Sequence, residues 1–117
     1  MGLESDRLRT IIREVSGISV IKVAGEIDTY TAPGFRSAIQ QAIDARSGNL
    51  VIDLSDVAYM DSSGFGSLLG AARHIKSTGG AVKLTGCSEA IERIIHITGL
   101  DASIEVFSTL DEAIGVH

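Results

Sequence analysis

The chain opens on two apolar runs separated by a single turn pair. Leu8 to Val15 reads as a strand, and Ile18 to Ala24 as a second one, richer in β-branched residues. Only Ser16 and Gly17 lie between them, so the pattern predicts an antiparallel hairpin. The second run is the more continuously apolar and is expected to be the more buried. Residues 25–31 read as a loop. Beyond it the period changes. Phe35, Ile39, Ala42 and Ile43 recur at helical spacing, behind a Pro33 that suits a first helical turn and ahead of a Gly48 that suits a stop. Asn49 to Leu54 is a short apolar run, read as a central strand.

Residues 55–63 read as a second loop, and a helix is expected from about Gly64. Phe65, Leu68, Leu69, Ala72 and Ile75 share one face of it. Arg73, His74 and Lys76 lie in its last turns, where cations suit the helix dipole, and Gly79 and Gly80 end it. Ala81 to Thr85 reads as a strand. Ser88 then caps a helix carrying Ile91, Ile94 and Ile95, stopped by Gly99. Ile104 to Phe107 is a last short strand, and Thr109 and Glu112 have the spacing of a capping box for a last helix. The predicted order is β-β-α-β-α-β-α-β-α. Strands alternating with helices imply parallel pairing after the hairpin. With no linker, repeat or low-complexity segment, the expectation is one α/β domain over residues 1–117, with its core from about 8 to 114.

The chain has 117 residues, and the apolar fraction of 44 % suits one packed core rather than a disordered chain. Aromatics are only 4 %, so aliphatic side chains must fill that core and stacking platforms for single-stranded nucleic acid are unexpected. A net charge of -5 argues in the same direction, because it repels a phosphate backbone. The one cysteine, Cys87, allows neither an internal disulfide nor a multi-cysteine zinc site, and reads as a small loop residue. No apolar run is long enough to span a bilayer, and the start lacks the basic and apolar stretches of a signal peptide. Met1 and Gly2 hint at myristoylation, but Asp6 stands where that motif wants Ser or Thr. The expected compartment is the cytoplasm.

The segment with the most chemistry is Met60-Asp61-Ser62-Ser63-Gly64-Phe65-Gly66, a polar step into an apolar-periodic helix. One reading is capping, in which a short polar side chain accepts from the first backbone amides. Another is phosphorylation. The partial positive charge and unpaired amides of a helix start suit a phosphate, and a phosphoserine at Ser63 would add about two negative charges beside Asp61. That is the physics of an interface switch. A serine nucleophile is disfavoured. The G-x-S-x-G elbow is absent, and His74 lies roughly 16 Å down the same helix. His117 ends the chain, and His96 is unplaced. Gly64, Gly66 and Gly70 faintly suggest a dinucleotide loop, but they do not directly follow the first strand. Asp53 ends a strand as a receiver aspartate would, without the acidic pair such a site needs, and reads as structural. Glu26 and Asp28 have no His, Cys or further carboxylate at ligand spacing, so no metal or other cofactor is expected.

Two segments together resemble the STAS family, in particular the bacterial anti-sigma factor antagonists. One runs from Val23 to Ala32 and includes Gly25-Glu26-Ile27-Asp28-Thr29-Tyr30; the other runs from Val51 to Gly64. Ile97 to Leu100, with Phe107-Ser108 and Asp111 to Ile114, fits the family's C-terminal pattern, so the likeness spans about Leu8 to Ile114. It implies the STAS fold, a single mixed β-sheet opening with an antiparallel hairpin and carrying packed helices. It implies that Ser63 is the phosphoacceptor and that Asp28, Thr29, Tyr30, Asp61, Ser62, Gly64 and Phe65 form the partner-binding surface. The implied partner is an anti-sigma factor with serine/threonine kinase activity and an ATP-binding, histidine-kinase-like fold. The unmodified antagonist binds that partner and frees its target, phosphorylation ends binding, and a PP2C-type phosphatase reverses it. ATP and Mg²⁺ would belong to the kinase, and this chain would not be an enzyme. A non-switching STAS scaffold subunit of a larger signalling assembly is the other reading.

Overall fold

The structure is a computed structural model describing residues 7–45 and 48–115. Met1, Gly2, Asp6 and His117, named above, lie outside the described residues. Five strands, β1 (Leu8–Val15), β2 (Ile18–Ile27), β3 (Leu50–Met60), β4 (Val82–Thr85) and β5 (Ile104–Phe107), form one sheet in the order β1-β2-β3-β4-β5. The helices are α1 (Ala32–Ala45), α2 (Ser62–Ser77), α3 (Glu89–Thr98) and α4 (Leu110–Ile114), with a short 3-10 turn at Leu100–Ala102 that the pattern did not predict. The β1–β2 pairing is antiparallel and the other three are parallel. Ser16 and Gly17 both have positive φ, the geometry that matches a two-residue hairpin turn to the twist of its strands.

Each strand divides its side chains between two faces. Ile21 and Val23 of β2, Leu50, Ile52 and Leu54 of β3, and Val82 and Leu84 of β4 meet Phe35 and Ile39 of α1, Leu68 and Ile75 of α2, and Ile91 and Ile95 of α3 in the main core. On the opposite face Val20 and Val51 pack with Ala113 of α4, against Phe107, Leu110 and Ile114. β3 is central and β2 is more buried than β1, as the apolar runs implied.

Two expected loops are largely strand. Gly25 to Ile27 continue β2, and Ser55 to Met60 continue β3. The two extensions pair with each other, Gly25 with Val57, Glu26 with Tyr59 and Ile27 with Met60. Irregularities between Lys22 and Ala24 and between Gly25 and Glu26 break the register, so the period of two fails there. β4 pairs with β3 only through Asp53, which leaves Ser55, Asp56, Ala58 and Tyr59 exposed and loop-like in composition. Helix α2 also begins earlier than expected, at Ser62. Its buried face holds Ala71, while Leu69 is only partly buried. On α3, Ile94 is 38 % exposed and turns away from the core that takes Ile91 and Ile95. Ser88 and the Thr109–Glu112 capping box fall where the sequence put them.

Candidate functional site

The extended ends of β2 and β3 deliver two loops to the C-terminal end of these parallel strands. The Asp61 amide donates to the Ile27 carbonyl at 3.0 Å, which ties the start of α2 to the end of β2. Asp61 is the N-cap, its Oδ1 accepting from the Ser63 amide at 2.8 Å. Its own carbonyl accepts from the amides of Gly64 at 3.0 Å and Phe65 at 3.2 Å. The capping reading of the sequence is therefore correct, and it has a consequence. Amides expected to be unpaired and open to a phosphate are in large part already committed to Asp61.

Ser63 stands in the first turn of α2, half-buried, with its Oγ 3.3 Å from Thr29 Oγ1. That is long for a hydroxyl pair and holds neither group firmly. Ser62, its neighbour, is exposed. Close packing beneath them requires Gly64. A Cβ there would fall 2.9 Å from Ile27 Cγ2 and overlap the Met60 side chain.

The facing loop is built by Asp28. Its Oδ1 accepts from the amides of Tyr30 at 2.9 Å and Thr31 at 3.0 Å, and its Oδ2 pairs with Arg7. Thr31 Oγ1 accepts from the Asp28 amide at 2.9 Å and donates to the Glu26 carbonyl at 2.8 Å. This small network turns the chain from β2 into α1. Gly25, at φ 112°, lets the β1 end come close enough for the Glu26 amide to donate to the Arg7 carbonyl at 2.7 Å. That contact places Arg7 beside Asp28, with a longer pairing to Glu26 at 3.5 Å and the Tyr30 ring 6.0 Å away.

The residues expected at a partner surface thus differ in how they are presented. Thr29, Tyr30 and Ser62 are exposed, Tyr30 by 84 %. Asp61 is half-buried as a cap. The Asp28 side chain is only 15 % exposed, with both oxygens engaged, so it shapes the loop rather than offering a free carboxylate. Gly64 and Phe65 are buried and carry the surface from below. The sequence reading missed Tyr59, 53 % exposed at the same end of the strands, because its segment was read as loop. It also missed Arg7, Thr31, Arg36 and Ser67, which have no motif of their own. Ser67 lies one turn beyond Ser63 and donates to its carbonyl at 2.8 Å. A groove of about 360 Å³ runs from Ser63 between α1 and α2, lined by Arg36, Ile39, Ser67 and His74 among others, with Gly66 and Gly70 leaving its floor open.

Elsewhere the chemistry is sparse. Asp53 accepts from the Ser55 amide at 2.9 Å, the structural part assigned to it. His96 is exposed on α3, 3.0 Å from Asp101 and remote in sequence from Ser63. Among the described residues no cluster of three His, Cys, Asp or Glu could hold a metal, and no helix is long and apolar enough to cross a membrane.

Comparison with known proteins agrees with this fold. The sequence model of the STAS domain matches residues 9–113, and the chain belongs to that family. It is 40 % identical over 86 residues, 74 % of this chain and 78 % of the relative, to the anti-sigma-B factor antagonist of Bacillus subtilis. The crystal structure of an anti-sigma factor antagonist from Mycobacterium paratuberculosis superposes with a TM-score of 0.85 at 34 % identity, covering 96 % of this chain and 95 % of that one. The Bacillus cell fate determinant SpoIIAA in its phosphorylated form superposes with a TM-score of 0.72 at 26 % identity, covering 92 % and 97 %.

Proposed function

We propose that this protein is an anti-sigma factor antagonist switched by phosphorylation of Ser63. What carries the reading is the placement of Ser63. Its hydroxyl sits half-exposed in the first turn of α2, 3.3 Å from Thr29 Oγ1, on a chain whose relatives bear that name. In the unmodified form the exposed Thr29, Tyr30 and Ser62, on a rigid backbone held by Asp28 and Asp61, meet an anti-sigma factor that is also a serine/threonine kinase. Tyr30 and Tyr59 supply the exposed aromatic area that such contacts favour.

The kinase then transfers the terminal phosphoryl group of ATP to Ser63 Oγ. The new Oγ–P bond forms as the bond to the departing ADP oxygen breaks, and the hydroxyl proton goes to a base on the kinase. About two negative charges now stand in the centre of the contact, beside Asp61. Like-charge juxtaposition and desolvation of the phosphate oppose rebinding. A PP2C-type phosphatase hydrolyses the ester and restores the binding form. ATP and Mg²⁺ belong to the kinase, and this chain acts without catalysis, in the cytoplasm, as one STAS domain over residues 1–117.

A paired pull-down from the host lysate tests this. The baits are the unmodified protein and Ser63→Asp, with captured proteins identified by mass spectrometry. The expected result is an ATPase of histidine-kinase-like fold on the first bait, depleted on the second. In addition, Ser63→Ala should bind that protein and accept no phosphate from it. Equal capture by both baits, or phosphorylation of Ser63→Ala at the wild-type rate, sinks the reading.

A further inference from the structure

A phosphate on Ser63 needs a counter-charge, and the start of α2 has little left to give. The amides of Ser63, Gly64 and Phe65 already have acceptors in Asp61, whose carboxylate would itself repel the new group. Arg7 faces Asp28 and Glu26, both acidic. His74 lines the far part of the groove, three turns down the helix. Among the described residues one cation remains at the right end. Arg36 of α1 reaches across the groove until its Nη1 lies 3.5 Å from Ser67 Oγ, a weak contact, and among the described residues it pairs with no carboxylate. Ser67 is four residues beyond Ser63 on α2, so the two side chains are neighbours on one face.

We propose that Arg36 is the intramolecular counter-ion of phosphorylated Ser63, leaving Ser67 to close the Ser63 end of the α1–α2 groove over the phosphate. This rests on the reading of Ser63 as the phosphoacceptor and adds how the modified state is held. A guanidinium suits the task because its planar fork can meet two phosphate oxygens at once, and a long side chain on a neighbouring helix can swing one turn without moving the backbone. Among the described residues of the unmodified protein nothing competes strongly for it. The clamp draws the phosphate toward the groove and away from the Thr29 loop, which makes the modified form longer lived against a phosphatase. Arg36 acts through the phosphate and is a positioning residue.

The test installs phosphoserine at position 63 of the full chain during translation and titrates it by phosphorus NMR. The charged and hydrogen-bonding groups around it are Asp61, Thr29, Arg36, Ser67 and, farther off, Asp28 and Arg7. Pairing with Arg36 favours the dianion. Arg36→Gln should therefore raise the second phosphate pKa by about half a unit, the size expected of a surface ion pair. Arg36→Lys should restore part of the difference, since it keeps the charge and loses the fork. The same Arg36→Gln change in the unmodified protein should leave its unfolding midpoint in place. A phosphate that titrates in the Arg36→Gln variant just as it does in the parent overturns the proposal. Because the ribosome places the phosphoserine, this outcome is independent of any kinase, and a Ser63 that no kinase modifies would remove the switch reading separately.

Discussion

Two side chains show how much a single position decides. Asp61 joins β3 to α2 through its backbone and caps the helix through its carboxylate. Asp61→Ala should lower unfolding free energy by about 1 kcal/mol, the usual cost of a lost N-cap, read as a shift in urea midpoint at unchanged slope. An unchanged midpoint would mean that the cap is dispensable. Cys87 is the opposite case, a reactive group kept inert. Burial pushes its thiol up to about 11, with the negative charges of Glu92 and Asp53 adding to the effect. In the unfolded chain the thiol ionises near its ordinary 9.0, so between about 9 and 11 the folded state holds more protons than the unfolded one. Stability should therefore fall as pH rises through that window, and the fall should be smaller in Cys87→Ser. Folded protein at pH 8 should react with a thiol reagent far more slowly than unfolded protein does.

At the scale of elements, the site depends on two close approaches that only glycine permits. Gly25 lets the β1 end reach β2, which seats Arg7 beside Asp28. Gly64 lets α2 press against Ile27 and Met60, which sets how far Ser63 stands from Thr29. Gly64→Ala puts a methyl group into that contact. It should destabilise by about 1–3 kcal/mol, as overpacking does, because Met60 can yield but Ile27 of the buried strand yields less. Amide shifts should move at Thr29 and Ser63 as well as at position 64. If stability falls and Thr29 does not respond, the two loops are less coupled than this packing implies.

For the whole molecule the decisive fact is that Ser63, the proposed phosphoacceptor, lies at the rim of the main core rather than inside it. Ser63 is half-buried at the C-terminal end of the interior strands β2 and β3, while the main core lies between the sheet and α1, α2 and α3. Adding charge at the start of a helix is also tolerated by the dipole, with Asp61 nearby opposing it. Ser63→Asp should accordingly unfold within about 0.5 kcal/mol of the wild type, as surface substitutions do, while its affinity for the kinase falls. A large loss of stability would make this a folding switch instead of an interface switch.

Local chemistry made most of this legible without coordinates. The turn pair Ser16-Gly17, the caps at Ser88 and Thr109, and the helical spacing of Phe35, Ile39 and Ala42 are set by near neighbours, so they survive as read. The STAS likeness rested on the runs from Gly25 and into Ser63, which are also local. Tertiary structure decided what depends on distant partners. Residues 25–27 and 55–60 became strand because they pair with each other across a register break, a gain no single segment reveals. Asp28 became a partly buried anchor because Gly25 brings Arg7 to it. Arg36 has no motif around it. It meets the Ser63 end of the groove only because α1 and α2 pack side by side on the same face of the sheet.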